Sequence, residues 1–182
     1  MKICIISGTH REGSYTFRVS SYIHRILSEK KDITSELFSL RDISPDILLN
    51  SGLSMQTGRV AEAAARYIQP MDGLIFVVPE YNGSFPGIVK TWIDVLHPSF
   101  FWGKAVMLIG VSSGRAGNLR GLEHLSGICQ HLKMHVYHFK LPISRIEEIW
   151  KNHEPDKDTR EAIKNALNGF TDFIETISKK IK

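Results

Sequence analysis

Three short stretches hold most of the side chains in this sequence that could do chemistry. The first, Ser7 to Thr16, reads SGTHREGSYT and combines two glycines, four aliphatic hydroxyls and one arginine. Gly8 and Gly13 permit backbone conformations that other residues avoid, so that amide N–H groups can turn inward. Thr9, Ser14 and Thr16 add hydroxyl donors, and Arg11 adds a charged fork. A helix beginning after this loop would present unpaired N–H groups and a positive dipole end, both suited to an anion. Each hydrogen bond to a charged group contributes on the order of 1.5–3 kcal/mol, so a few would anchor a phosphate. The loop has neither the Gly-Lys-Ser/Thr of a Walker sequence nor a GxGxxG fingerprint. The same residues also suit a plain turn, with Ser14 or Thr16 as helix cap.

The second stretch is PEYNGSFPG, Pro79 to Gly87. Pro79 can end a strand, Asn82-Gly83 is a strong turn pair, and Pro86 can open a helix. Such a turn presents backbone groups to a flat heterocycle, with Tyr81 as an aromatic wall, or it is simply a surface turn. Glu80 has the chemistry of a general acid or base, but a lone carboxylate there more often accepts N–H groups. The third stretch, SSGRAGN from Ser112 to Asn118, has small residues that let backbone approach a ligand. Arg115 either meets a phosphate or lies in solvent.

The elements that must position these loops follow from periodicity. Lys2 to Ser7, Gly73 to Val78 and Ala105 to Val111 are compact apolar runs, as expected of parallel strands buried on both faces. Ile33 to Leu40 and His135 to Phe139 complete five expected strands. Helical spacing covers Ser14 to Ser28, Arg59 to Ile68, Pro86 to Leu96, Leu119 to Leu132 and Thr159 to Ile177, while residues 41 to 56 suggest a long loop. Alternating strands and helices predict one doubly wound α/β domain over residues 1–182, with ligands beyond the carboxyl ends of the strands. The three loops follow strands one, three and four, where that rule puts the chemistry.

Bulk properties narrow the classes. A net charge of +4, partly in the tail at Lys179, Lys180 and Lys182, forms no basic stripe interleaved with aromatics, so no nucleic-acid partner is expected. Mild positive charge does suit anionic ligands. The longest apolar runs are too short to span a bilayer, and no leader-like series follows Met1, so a cytoplasmic protein without membrane contact is expected. Cys4 and Cys129 read as reduced, buried thiols. Lys90 and Asp94, four apart on a helix, read as a structural pair. His131, His135 and His138 suggest no metal site, since the last two stand an odd number apart in an expected strand.

Taken together, the loops resemble the NAD(P)H-dependent FMN reductase family of flavodoxin-like proteins. That family pairs a G-S-x-R-x-x-S-x-N loop with P-E-Y-N-G-S and a glycine-rich loop after strand four. Here Gly8 to Thr16 follows the first pattern, with Thr9 for its Ser and Thr16 for its Asn, and PEYNGS matches in full. Gly87 to Asp94 is similar to the family's G-x-L-K-N-A-I-D, and the likeness runs in order from Lys2 to about Phe139. The resemblance implies a three-layer flavodoxin-like fold with a five-stranded parallel sheet in the order 2-1-3-4-5.

It further implies that FMN is bound, its phosphate at Thr9, Arg11, Ser14 and Thr16, with Tyr15 also among the cofactor-binding residues. Isoalloxazine contacts would come from Pro79, Glu80, Tyr81, Asn82, Gly83 and Ser84, with Ser112, Ser113 and Gly114 nearby. The hydride donor would be NADPH or NADH, and the acceptor a flavin, quinone, azo compound or metal. The chemistry would fall on flavin N5, so no protein acid or base is assigned. Family members are commonly homodimers or homotetramers that complete the flavin pocket across an interface. Phe100-Phe101-Trp102 suits either such an interface or the approach to strand four. The alternatives are a flavodoxin-type electron carrier and a flavin-free assembly or regulatory domain. Against the carrier stand the mildly basic composition and Arg11 in place of a T-x-T-G-x-T loop.

Overall fold

The computed structural model describes residues 1–43 and 59–180; most of the expected loop over 41–56 lies outside the described residues. Strands β1 (Lys2–Ser7), β2 (Thr34–Ser39), β3 (Gly73–Pro79) and β4 (Ala105–Val111) pair in parallel, with β5 (His135–Val136) at the far edge. The order is β2-β1-β3-β4-β5, with β6 (Leu141–Ile143) also paired to β4. Every residue of β3 and β4 is buried, as their uninterrupted apolar runs require of strands covered on both faces.

Side-chain alternation divides the core in two. Cys4, Ile6, Leu74, Phe76 and Val78 pack under α2 (Arg59–Tyr67), α3 (Gly87–Asp94) and α4 (Leu119–His131). Ile3, Ile5, Ile75, Val77 and Met107 pack under α1 (Tyr15–Ser28) and the last helix, α6 (Lys157–Lys180). On α1 the buried residues Val19, Tyr22, Ile23 and Leu27 form a stripe at helical spacing. Ser14 caps this helix, accepting a hydrogen bond from the Phe17 amide at 3.2 Å. Between β6 and α6 lie a single turn, α5 (Ile146–Ile149), and a small hairpin of β7 (Trp150–Lys151) and β8 (Glu154–Pro155).

Several expectations need correction. The fifth strand is not continuous over His135 to Phe139. Val136 pairs with Val106 and Leu141 with Ile109, so four residues stand opposite two and the ladder breaks between them. Tyr137 turns into the core against Phe170 and Phe173, which draws the chain out of register. His138 therefore lies beyond the strand, and the argument from alternating faces does not reach it. Pro86 is the cap of α3, not its first residue. Phe101 is fully buried with its ring edge against Trp92, whereas Trp102 is half exposed beneath Lys133. Cys4 and Cys129 are free and buried, and Lys90 meets Asp94 at 2.7 Å.

Candidate functional site

The carboxyl ends of β1, β3 and β4 bring the three loops to one edge of the sheet, around a concavity of about 300 Å³. Arg11, Ser14, Tyr15, Thr16, Pro79, Glu80, Tyr81, Ser112 and Ser113 line it. Thr9, Asn82, Gly83, Ser84 and Gly114 do not. A larger concavity of about 700 Å³ lies at the opposite edge, among Met1, Lys30, Asp32, Asp72 and Thr171. It adjoins the carboxyl ends of α1 and α6, where helix dipoles disfavour an anion.

In the first loop, the Gly8 amide donates to the Val77 carbonyl at 2.8 Å. A Cβ on Gly8 would fall 2.7 Å from Val78 Cγ1, so only glycine lets the loop leave β1 this close to β3. Gly13 has a φ of 64° and turns the chain into α1. With Phe17 capped by Ser14 and the Arg18 amide bonded to the Ser14 carbonyl, helix geometry leaves the Tyr15 and Thr16 amides as open donors. Thr9 is turned inward: its hydroxyl accepts from the Arg11 amide at 3.2 Å and lies 3.1 Å from the Tyr81 hydroxyl.

The second loop is a two-residue hairpin. Tyr81 and Ser84 exchange backbone hydrogen bonds of 2.8 and 3.1 Å across Asn82 and Gly83, whose φ values are 51° and 81°. Both central residues are left-handed, as an Asn-Gly turn of this type demands. The Glu80 amide donates to the Val111 carbonyl at 2.9 Å, tying the hairpin to β4. Arg11 stands over the Tyr81 ring, its Cζ 5.4 Å from the centroid.

In the third loop, the Ser112 hydroxyl donates to the Gly114 carbonyl and the Ser113 hydroxyl to Glu147, both at 3.0 Å. Arg115 is exposed and lies outside the concavity. Sequence reasoning missed Asn118. It is 1% exposed, has a φ of 64°, and donates through Nδ2 to the carbonyls of Val78 and Pro79 at 3.2 and 2.9 Å. It thus joins the third loop to the base of the second. A Cβ on Gly110 would fall 2.0 Å from the Gly117 carbonyl oxygen, so this loop folds down only over a glycine.

Ile146 and Glu147 of α5 close the concavity and were also missed, since no motif marks their segment. His124 was missed too; its Nδ1 lies 2.9 Å from the Ser84 hydroxyl. It lies outside the concavity, beside Arg120, which abuts Gly83, and nothing in the sequence marks it.

A family model described as NADPH-dependent FMN reductase matches residues 1–145. The chain belongs to this family. It is 27% identical to a 2-hydroxy-1,4-benzoquinone reductase of Burkholderia over 96% of both chains. It is 31% identical to an NAD(P)H-dependent FMN reductase of Pseudomonas aeruginosa, over 74% of this chain and 72% of that one. A solved NADH:FMN oxidoreductase superimposes with a TM-score of 0.75 at 22% identity, covering 93% of this chain and 87% of its own. The flavodoxin-like fold is thereby established, with FMN as cofactor and NAD(P)H as reductant.

The donor set of this FMN reductase suits the cofactor. Open amides of α1, the Ser14 and Thr16 hydroxyls and the Arg11 guanidinium match a phosphate dianion. Tyr81 of the hairpin and the small residues Ser112 and Ser113 leave room for a flat ring beside them.

Proposed function

We propose that this chain is an NAD(P)H:quinone reductase whose FMN is held by the three loops described above. In this reading Arg11, Ser14, Tyr15 and Thr16 hold the phosphate. Pro79, Glu80 and Tyr81, with Ser112 and Ser113, line the place of the ring, Asn82, Gly83, Ser84 and Gly114 shape the loops that carry them, and Thr9 acts through Tyr81. When bound, FMN accepts a hydride equivalent and returns two electrons to an acceptor. The observation that carries the reading is the single concavity joining phosphate donors at the α1 terminus to the Tyr81 hairpin.

The quinone is inferred from the Burkholderia relative, whose length the chain matches almost completely. The protein's part is to orient: Tyr81, fixed by Thr9 and Arg11, makes one wall, and Ile146 with Glu147 the other. With one concavity to serve donor and acceptor, the two substrates enter in turn. The reading extends to the cytoplasm, in keeping with two free thiols, and to a homodimer or homotetramer. Trp102, Leu119 and Phe139 are large exposed apolar side chains available for subunit contacts.

The test is an absorption spectrum of the purified protein, identification of released flavin, and steady-state oxidation of NADPH and NADH with a benzoquinone. Bound FMN and parallel double-reciprocal lines are expected. A colourless protein that takes up no added FMN, or kinetics requiring both substrates together, would overturn the reading. Light scattering on a sizing column measures the assembly, and a monomer would remove that part.

A further inference from the structure

A second concavity, of about 280 Å³, lies along α1 and is lined by Phe17, Arg18, Ser21, Tyr22, Arg25 and His153. It shares a wall with the flavin site. Tyr15 lines the first concavity, and Arg18, which lines the second, stands over the Tyr15 ring with its Cζ 4.8 Å from the centroid. Positions 15, 18, 22 and 25 fall on one face of the helix, and the arrangement repeats: Arg25 stands 5.0 Å over Tyr22. Stacking on a ring holds a guanidinium in place while leaving its N–H fork free for an oxyanion.

The outer wall is the β7–β8 hairpin, anchored by Trp150 with its ring edge against Tyr22 at 5.6 Å. The two turn residues, Asn152 and His153, have φ values of 51° and 67°. A turn of this type ordinarily takes glycine second; a histidine there holds a backbone conformation that glycine adopts more readily. That conformation sets His153 on the concavity.

The local charge is positive. Glu154 pairs with both Arg25 and Arg160, and Glu29 is the other carboxylate near Arg25. Among the described residues, no acidic side chain lines the concavity and Arg18 has no carboxylate within 4.0 Å. Arg18 is therefore, among the described residues, the cation of the group without a carboxylate partner.

We propose that this concavity binds the ribose 2′-phosphate of NADPH, with Arg18 as its principal ligand and His153 as a second donor. The proposal rests on the NAD(P)H reading above and adds the basis of nucleotide choice. Tyr15 and Tyr22 stand seven positions apart, about 10 Å along the helix axis. Because Tyr15 stands at the phosphate end of the flavin reading, a dinucleotide whose reacting ring meets the flavin near Tyr81 would run along the FMN chain toward α1 and lay its distant ribose in the second concavity. The guanidinium fork suits a phosphate monoester, and a free ribose hydroxyl gives it no charge to pair with.

Titration calorimetry on the holoprotein should compare adenosine 2′,5′-bisphosphate with adenosine 5′-monophosphate. Binding at least tenfold tighter for the bisphosphate is expected, with the difference lost in Arg18→Ala and Arg18→Gln. The ratio of kcat/KM for NADPH to that for NADH should fall at least tenfold in both variants and by a smaller factor in His153→Ala. Equal binding of the two adenosine probes, or equal losses with NADPH and NADH, would overturn the assignment. These probes carry no nicotinamide, so if the purified protein takes up no FMN the same calorimetry is run on it as it stands: a preference for the bisphosphate there would sink the reductase reading and leave this site standing.

Discussion

The hydroxyl of Thr9 at the end of β1 lies 3.1 Å from the hydroxyl of Tyr81 at the end of β3, seventy-two residues away in sequence. Thr9 is 1% exposed and also accepts from the Arg11 amide, so it joins the phosphate loop to the hairpin from beneath. The threonine at this position reads from sequence as a phosphate donor; the structure makes it a strut for Tyr81. Thr9→Val keeps the volume and removes the hydroxyl, at a cost of about 1 kcal/mol. FMN affinity should weaken by roughly fivefold to tenfold, read from quenching of flavin fluorescence. Thr9→Ser should bind as the parent does. Unaltered affinity in the valine variant would show that the strut is unimportant.

Ser14 has two separable duties. Its side chain caps α1, and its position faces the expected phosphate. Ser14→Ala should lower stability by about 1 kcal/mol, as loss of such a cap does. Ser14→Asp preserves the cap and favours the helix dipole, so its thermal midpoint should match or exceed the parent's. It should nevertheless bind FMN far more weakly, because a carboxylate then opposes the phosphate. An aspartate variant that holds FMN normally would move the phosphate away from this terminus.

Asn118 supplies both donors that meet the Val78 and Pro79 carbonyls, and it does so from a left-handed backbone. Asn118→Ala should lose about 2–3 kcal/mol from unpaired carbonyls and backbone strain together. Asn118→Gly relieves the strain alone, so it should recover about 1 kcal/mol of that loss. Urea midpoints of the three proteins measure both parts.

Burial pushes the Cys129 thiol up from 9.0 to about 12 and raises Cys4 as well, with Glu36 adding to the effect there. The folded state thus holds both thiols neutral. A raised folded pKa contributes stability that is fully present below the unfolded value and declines as pH rises through the folded one. Stability should therefore fall between pH 9 and about 12, and Cys129→Ala should flatten that decline while costing core packing at every pH. In native protein at neutral pH both thiols should resist a disulfide reagent and react promptly after denaturation. Fast native labelling would contradict the burial.

The backbone turns of the candidate site were legible because their signals are local. Glycine at position 8, a serine before a helical stripe and Asn82-Gly83 each act through backbone conformation within a few residues. The burial of β1, β3 and β4 was likewise legible, since an uninterrupted apolar run is stable only when covered on both faces. Ile146, Glu147 and His124 were not legible, because ordinary residue types gain their meaning only from what lies across the sheet edge.

By itself the sequence determined the alternation of strands and helices, the three loops at the strand ends, the turn types within them and the kinship with FMN reductases. Only the tertiary structure decided that Thr9 serves Tyr81, that Asn118 ties the third loop to the second, and that Tyr137 breaks the fifth strand by turning inward. The division has a physical cause. Dihedral preferences and apolar periodicity act over a few residues, whereas a buried hydroxyl or amide finds its partner only after the chain has brought distant segments within 3 Å or so of each other.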